Sequence, residues 1–190
     1  MEPAFKEIEK EFNETFVYIK NDIAKILEKD LKLHYTIALL VCCACEMLTW
    51  HRGLRDDQAH EVFTSLLPGT DPYRALGKTL WEALRHGLAH RFRPYTIRIE
   101  DDDWRFTISS PQSGPYLSVT KGQPNWIRLN IRAFSSRVIS EIDAYEQQLR
   151  TNADARLRFH EKSKRYVKTI PAEAARIVDA LNSVLGETHS

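Results

Sequence analysis

Arg85, His86 and His90 are the residues of this chain whose types and spacing could do chemistry. Arginine is permanently charged, and its planar fork of donors suits paired phosphate oxygens. Histidine titrates near neutrality and can take or give a proton. The three lie in the segment Arg85-His86-Gly87-Leu88-Ala89-His90, and Leu76, Leu80, Leu84 and Leu88 recur through and before it. That spacing predicts a helix whose leucines face the core. With each residue advancing about 100°, Arg85 lies about 100° to one side of Leu84, His90 about 120° to the other, and His86 nearly opposite. The polar groups therefore point away from the leucine seam. Gly87 and Ala89 sit among them, small enough to admit a second helix or a substrate backbone. Gly87 costs about 1 kcal/mol of helix propensity relative to alanine, which implies a compensating use.

The elements that must position this segment are helices on either side of a β-rich stretch. Phe5, Ile8, Phe12, Phe16, Ile19, Ile23 and Ile26 predict a first amphipathic helix reaching about Lys29. A second, from about Lys32 to Trp50, is apolar nearly all round and belongs in the middle of a bundle; Gly53 ends it. Asp56 or Asp57 caps a short third helix that stops at Leu67-Pro68-Gly69. Asp71 and Pro72 then serve as N-cap and first residue of the leucine-seamed helix, which runs to about Phe92 before Pro94.

Beyond it Tyr95, Ile97 and Ile99, then Trp104, Phe106 and Ile108, alternate with polar residues and predict a hairpin. Tyr116–Thr120 and Trp126–Ile131 are further strand candidates, the latter with Ile127, Leu129 and Ile131 on one face. Helical spacing returns with Phe134, Val138, Ile142, Tyr145 and Leu149, and a last helix is expected after Pro171. The expected fold is mainly α: a single domain over 1–190, helical over 1–93 and 132–190, interrupted by a small antiparallel sheet in 94–131.

A chain of 190 residues can bury a real core, and 43% hydrophobic with 28% charged residues is the composition of a folded protein rather than a disordered tail. The net charge of +1 advertises neither nucleic acid nor membrane, so any electrostatic footprint is local. The longest apolar run, Ile37–Cys45, is far short of the roughly 20 residues needed to cross a bilayer. The first residues, Met-Glu-Pro-Ala-Phe-Lys-Glu, do not form a signal peptide, so the mature chain is expected to start near Met1. Cys42, Cys43 and Cys45 crowd one turn, a poor disulfide framework, which favours a reducing, cytoplasmic compartment.

Arg85-x4-His90 on the last long helix before a break, with polar His86 directly after the arginine, resembles the signature of the HEPN family. The resemblance covers Arg85–His90 specifically and Phe5–Phe92 loosely; the β-rich stretch is an elaboration outside the minimal family pattern. It implies a helical bundle that forms a homodimer along this helix, bringing motif residues of two subunits into one cleft. It also implies that active members cut RNA with no metal or other cofactor. On that reading the ribose 2′-hydroxyl attacks the adjacent phosphate, Arg85 binds and stabilises the phosphate, His90 acts in proton transfer, and His86 is a third catalytic candidate. Arg85 and His90 are about 140° apart on their own helix, so two copies are needed to complete the cleft. Family members often act as toxins or in phage defence, which makes an antitoxin protein a candidate partner. Some active members carry tyrosine two residues after the histidine; this chain has Phe92 there.

Other residues admit two readings each. Arg91 and Arg93 could extend a positive patch along an RNA backbone, or be solvated. Glu46, in the apolar second helix, could orient Arg85 or His90, or pair with Arg52 or His51. The cysteines fit small core positions. Trp104, Phe106 and Trp126 could stack bases, but at strand spacing they fit the buried face of the sheet better. Seven basic residues between Arg150 and Lys168 suit a solvated helix or linker better than an RNA contact. The alternatives to a nuclease are a non-catalytic HEPN-like module that binds RNA or protein, and a metal-binding helical protein using His86 and His90.

Overall fold

Four-residue spacing of large apolar side chains shapes the first helix. Ile8, Phe12 and Phe16 are all buried, yet positions four apart drift about 40° round an α-helix. In the computed structural model, which describes residues 3–29, 33–69, 73–91, 94, 96–99 and 101–164, a wider turn absorbs that drift. Helix α1 (Phe5–Phe12) passes through a π-helical segment, Asn13–Val17, into α2 (Tyr18–Glu28).

Helix α3 (His34–His51) is the centre of the bundle, with Ile37, Val41, Ala44, Cys45 and Leu48 buried on several sides. Its end is set by Gly53, whose φ of +78° an L side chain rarely adopts. The Gly53 amide donates to Trp50 O and the Leu54 amide to Thr49 O, the paired bonds of a Schellman motif. A 3₁₀ turn (Asp56–Gln58) leads into α4 (Ala59–Leu66), and α5 (Tyr73–Arg91) carries the leucine seam. Leu80, Leu84 and Leu88 are buried. The cap proposed at Asp71-Pro72 lies outside the described residues.

Helices α4 and α5 meet closely at Gly77, where an added Cβ would lie 2.8 Å from Thr64 Cβ. Overpacking costs about 1–3 kcal/mol, against a helix-propensity gain of about 1 kcal/mol for alanine. Gly77→Ala is therefore expected to lower stability by up to about 2 kcal/mol. Adding Thr64→Ala should recover part of the loss in urea unfolding; a Gly77→Ala protein more stable than wild type would contradict the close approach.

The sheet departs from the antiparallel expectation. Strands β1 (Thr96–Ile99), β2 (Asp102–Ser109), β3 (Leu117–Thr120) and β4 (Asn125–Asn130) lie in the order β1-β2-β4-β3. The β1–β2 and β3–β4 pairs are antiparallel, but β2 and β4 run parallel, so the sheet is mixed. Alternation specifies which face of a strand is buried and is silent on neighbour and direction. Phe106, Ile108, Leu117, Ile127 and Leu129 form the inner face and join the core cluster of the helices. Ile131, expected on that strand face, instead starts α6 (Ile131–Thr151), where Asn130 Oδ1 accepts from the Ala133 amide as N-cap.

The basic C-terminal stretch is corrected in its described part, which reaches Lys164. Residues 153–164 are helix α7 (Ala153–Lys164), docked through buried Ala155 and Phe159 rather than solvated. Arg156 donates to the carbonyls of Pro3 and Leu149, and Lys162 lies 4.1 Å from the Trp50 ring centroid. Phe159, Phe16, Tyr145 and His51 pack ring to ring beneath it. The helix expected after Pro171 lies outside the described residues. Among the described residues no helix is long and apolar enough to cross a membrane.

Candidate functional site around Arg85

Rotation of α5 is set by its seam. Burying leucines contributes about 1.5–3 kcal/mol each, more than the 0–1 kcal/mol of a typical exposed ion pair. With Leu84 and Leu88 buried, Arg85 emerges half-buried at the side of the helix and His86 is exposed. On α3, Cys45 and Leu48 are buried and Glu46 between them turns toward α5. Arg85 Nε donates to Glu46 Oε1 at 2.7 Å. The two side chains are 34% and 39% exposed, so the pair adds little stability. Its effect is directional: Nε is held, and the terminal amino groups are presented in a fixed plane. The same hydrogen bond raises the pKa of a guanidinium that is charged in any case.

Glu46 thus meets Arg85, and not Arg52 or His51; the His90 side chain lies outside the described residues. Arg52 donates to Glu141 at 2.6 Å, and His51 is 2% exposed, under the rings of Phe16 and Phe159. Burial, helped by the charge of Lys162, lowers the His51 pKa to about 4, so the imidazole is neutral.

A pocket of about 660 Å³ opens between α3, the start of α4 and α5, with Arg85 and Glu46 in its wall beside Cys43, Met47, Trp50 and Asp56. That volume suits a nucleotide-sized ligand. Burial, with Glu46 next, raises the Cys43 pKa, which favours the thiol over the thiolate there. Cys42 and Cys45 are buried core residues with pKa values also raised by burial. Among the described residues the pocket wall sets Arg85 against two carboxylates, Glu46 and Asp56.

No family model, characterised protein or solved structure matches this chain. Its architecture is mainly helical with a small mixed sheet.

His90 and Arg91 are the last residues of α5; their side chains, and all of Phe92 and Arg93, lie outside the described residues. Among the described residues no three His, Cys, Asp or Glu side chains come together to hold a metal ion. Of the three aromatics offered as a stacking surface, Phe106 is buried and Trp104 packs against the core. Trp126 pairs with Arg105 in register, on the opposite face to Phe106 and Ile127. Sequence reasoning missed the pocket wall. Cys43, Glu46, Met47 and Trp50 share one helical face, but α3 is apolar nearly all round and no amphipathic contrast marks that face.

Proposed function

We propose that this chain is a HEPN-like endoribonuclease that works as a homodimer and cuts RNA without a metal ion. The observation that carries the reading is Arg85: a guanidinium oriented by Glu46 at 2.7 Å, in the wall of a nucleotide-sized pocket, five residues before His90 on one helix. By the resemblance, a dimer along α5 would bring a second Arg85 to the same cleft. One His90 takes the proton of the ribose 2′-hydroxyl as its oxygen attacks phosphorus. The partner's His90 protonates the departing 5′-oxygen, leaving a 2′,3′-cyclic phosphate and a 5′-hydroxyl. Both Arg85 side chains bind the phosphoryl oxygens as charge builds on them, His86 is a third catalytic candidate, and Arg91 and Arg93 would extend the contact to flanking phosphates. By the same resemblance, an antitoxin protein could occupy the cleft.

The test is incubation of end-labelled tRNA and mRNA with the purified protein in EDTA, alongside Arg85→Ala and His90→Ala. Wild type is expected to leave cyclic-phosphate ends and both variants to lose the activity. Equal cutting by all three would remove Arg85 and His90 from the chemistry. Binding without cutting would instead identify a non-catalytic module.

A further inference from the structure

We infer that the outer face of the sheet is a binding platform for single-stranded RNA, separate from the Arg85 pocket. The face that turns away from α6 carries Thr96 and Arg98 on β1, Asp103, Arg105 and Thr107 on β2, Trp126 and Arg128 on β4, and Ser118 on β3, by the strand register. Trp126 is half-buried, while Arg98, Arg105 and Arg128 are exposed. Asp103 is the one carboxylate on this face among the described residues, and it is bonded to Arg98 at 2.7 Å. Three exposed guanidinium groups, Arg98, Arg105 and Arg128, therefore share a face with one carboxylate, whose charge Arg98 and Arg105 both meet, and the described face keeps a net positive charge.

Their placement relative to Trp126 gives the surface its chemistry. Arg105 sits directly across from Trp126 in the parallel β2–β4 pair, its guanidinium 5.7 Å from the ring centroid. Arg128 is two positions along the same strand, a step of about 7 Å. The ring thus has one cation over it from the neighbouring strand and a second along its own strand, so that a base stacking against the ring has arginines within reach of its flanking phosphates.

Arg128 also lines a hollow of about 320 Å³ with Ser109, Ser113, Ser118 and Asn130. Hydroxyl and amide groups beside a guanidinium suit a phosphate together with a ribose 2′-hydroxyl, the group that distinguishes RNA from DNA. A duplex hides its bases and cannot use the ring, so the platform selects single strands.

The experiment is fluorescence anisotropy with a labelled oligouridylate of about 12 nucleotides, its DNA counterpart and a duplex of equal length. All proteins carry Arg85→Ala, so the probe survives even if wild type cuts it, and cleavage by wild type is scored separately on a gel. The parent is expected to bind the single-stranded RNA more tightly than the DNA or the duplex. Arg105→Glu with Arg128→Glu, both exposed and so compatible with folding, should weaken RNA binding at least tenfold. The same pair should lower the slope of log K against log salt by about 1.4, at 0.7 for each lost phosphate contact. Trp126→Ala should weaken single-strand binding by about 5- to 150-fold and leave duplex binding unchanged. RNA binding unaffected by the charge reversals, equal affinity for duplex and single strand, or a change in sedimentation instead of RNA affinity would each overturn the platform. None of these outcomes bears on whether wild type cuts.

Discussion

Arg85→Ala is expected to lower metal-independent RNA cleavage by about 10²–10³-fold, the usual cost of removing one preorganised donor from a developing oxyanion. Arg85→Lys should recover little of it. A lysine keeps the charge, but it cannot hold Glu46 through one nitrogen and present two more in a fixed plane. Glu46 is a positioning residue on this reading, and its removal separates orientation from charge. A hydrogen bond to a charged group is worth about 1.5–3 kcal/mol, so Glu46→Ala should reduce kcat by about 10–100-fold, and Glu46→Gln, which can still accept from Nε, by less. The pair is more than a third exposed on the Glu46 side, so none of these changes should lower unfolding stability by more than about 1 kcal/mol. Single-turnover cleavage in EDTA and urea unfolding of the same proteins make the comparison. A loss of cleavage that merely tracks a loss of stability would assign Arg85 and Glu46 a structural role.

Acid should unfold the protein partly through His51. Its ordinary pKa is 6.5 and its folded value about 4, because the ring is buried against Phe16 and Phe159 with Lys162 nearby. Between those values the unfolded chain binds a proton that the native state refuses. The stabilisation is therefore complete above about pH 6.5 and is lost as pH falls toward about 4. A shift of this size corresponds to about 3 kcal/mol in total, of which about 2–3 kcal/mol is gone by pH 4.5. His51→Phe places a ring of similar shape among the same aromatics and has no proton to take. The variant should lose about 2–3 kcal/mol less than wild type between pH 7 and pH 4.5 in urea unfolding. Glu11, Glu14 and Lys164, which line a hollow together with His51, are common to both proteins and cancel in the comparison. Equal losses in the two would show that His51 is protonated in the native state.

Much of this protein could be read from local pattern. Leu80, Leu84 and Leu88 announce the buried seam of α5, and with it the sideways exit of Arg85, because helix geometry converts spacing into direction. Gly53 announces the end of α3, because the left-handed conformation there excludes most side chains. Phe106, Ile108, Ile127 and Leu129 announce which faces of β2 and β4 are buried, because strand periodicity is two. Tertiary structure decided the rest. Glu46 could have met any of several cations, and only the crossing of α3 beside α5 gave it Arg85. His51, in the same turn as polar neighbours, became a buried neutral ring because α7 docked over it. The parallel pairing of β2 with β4, which sets Arg105 against Trp126, depends on contacts about 20 residues apart that no local period encodes. Periodicity fixes the direction in which a side chain leaves its own element; the partner it meets is chosen by how distant elements pack, and that choice made both the Arg85 pocket and the outer face of the sheet.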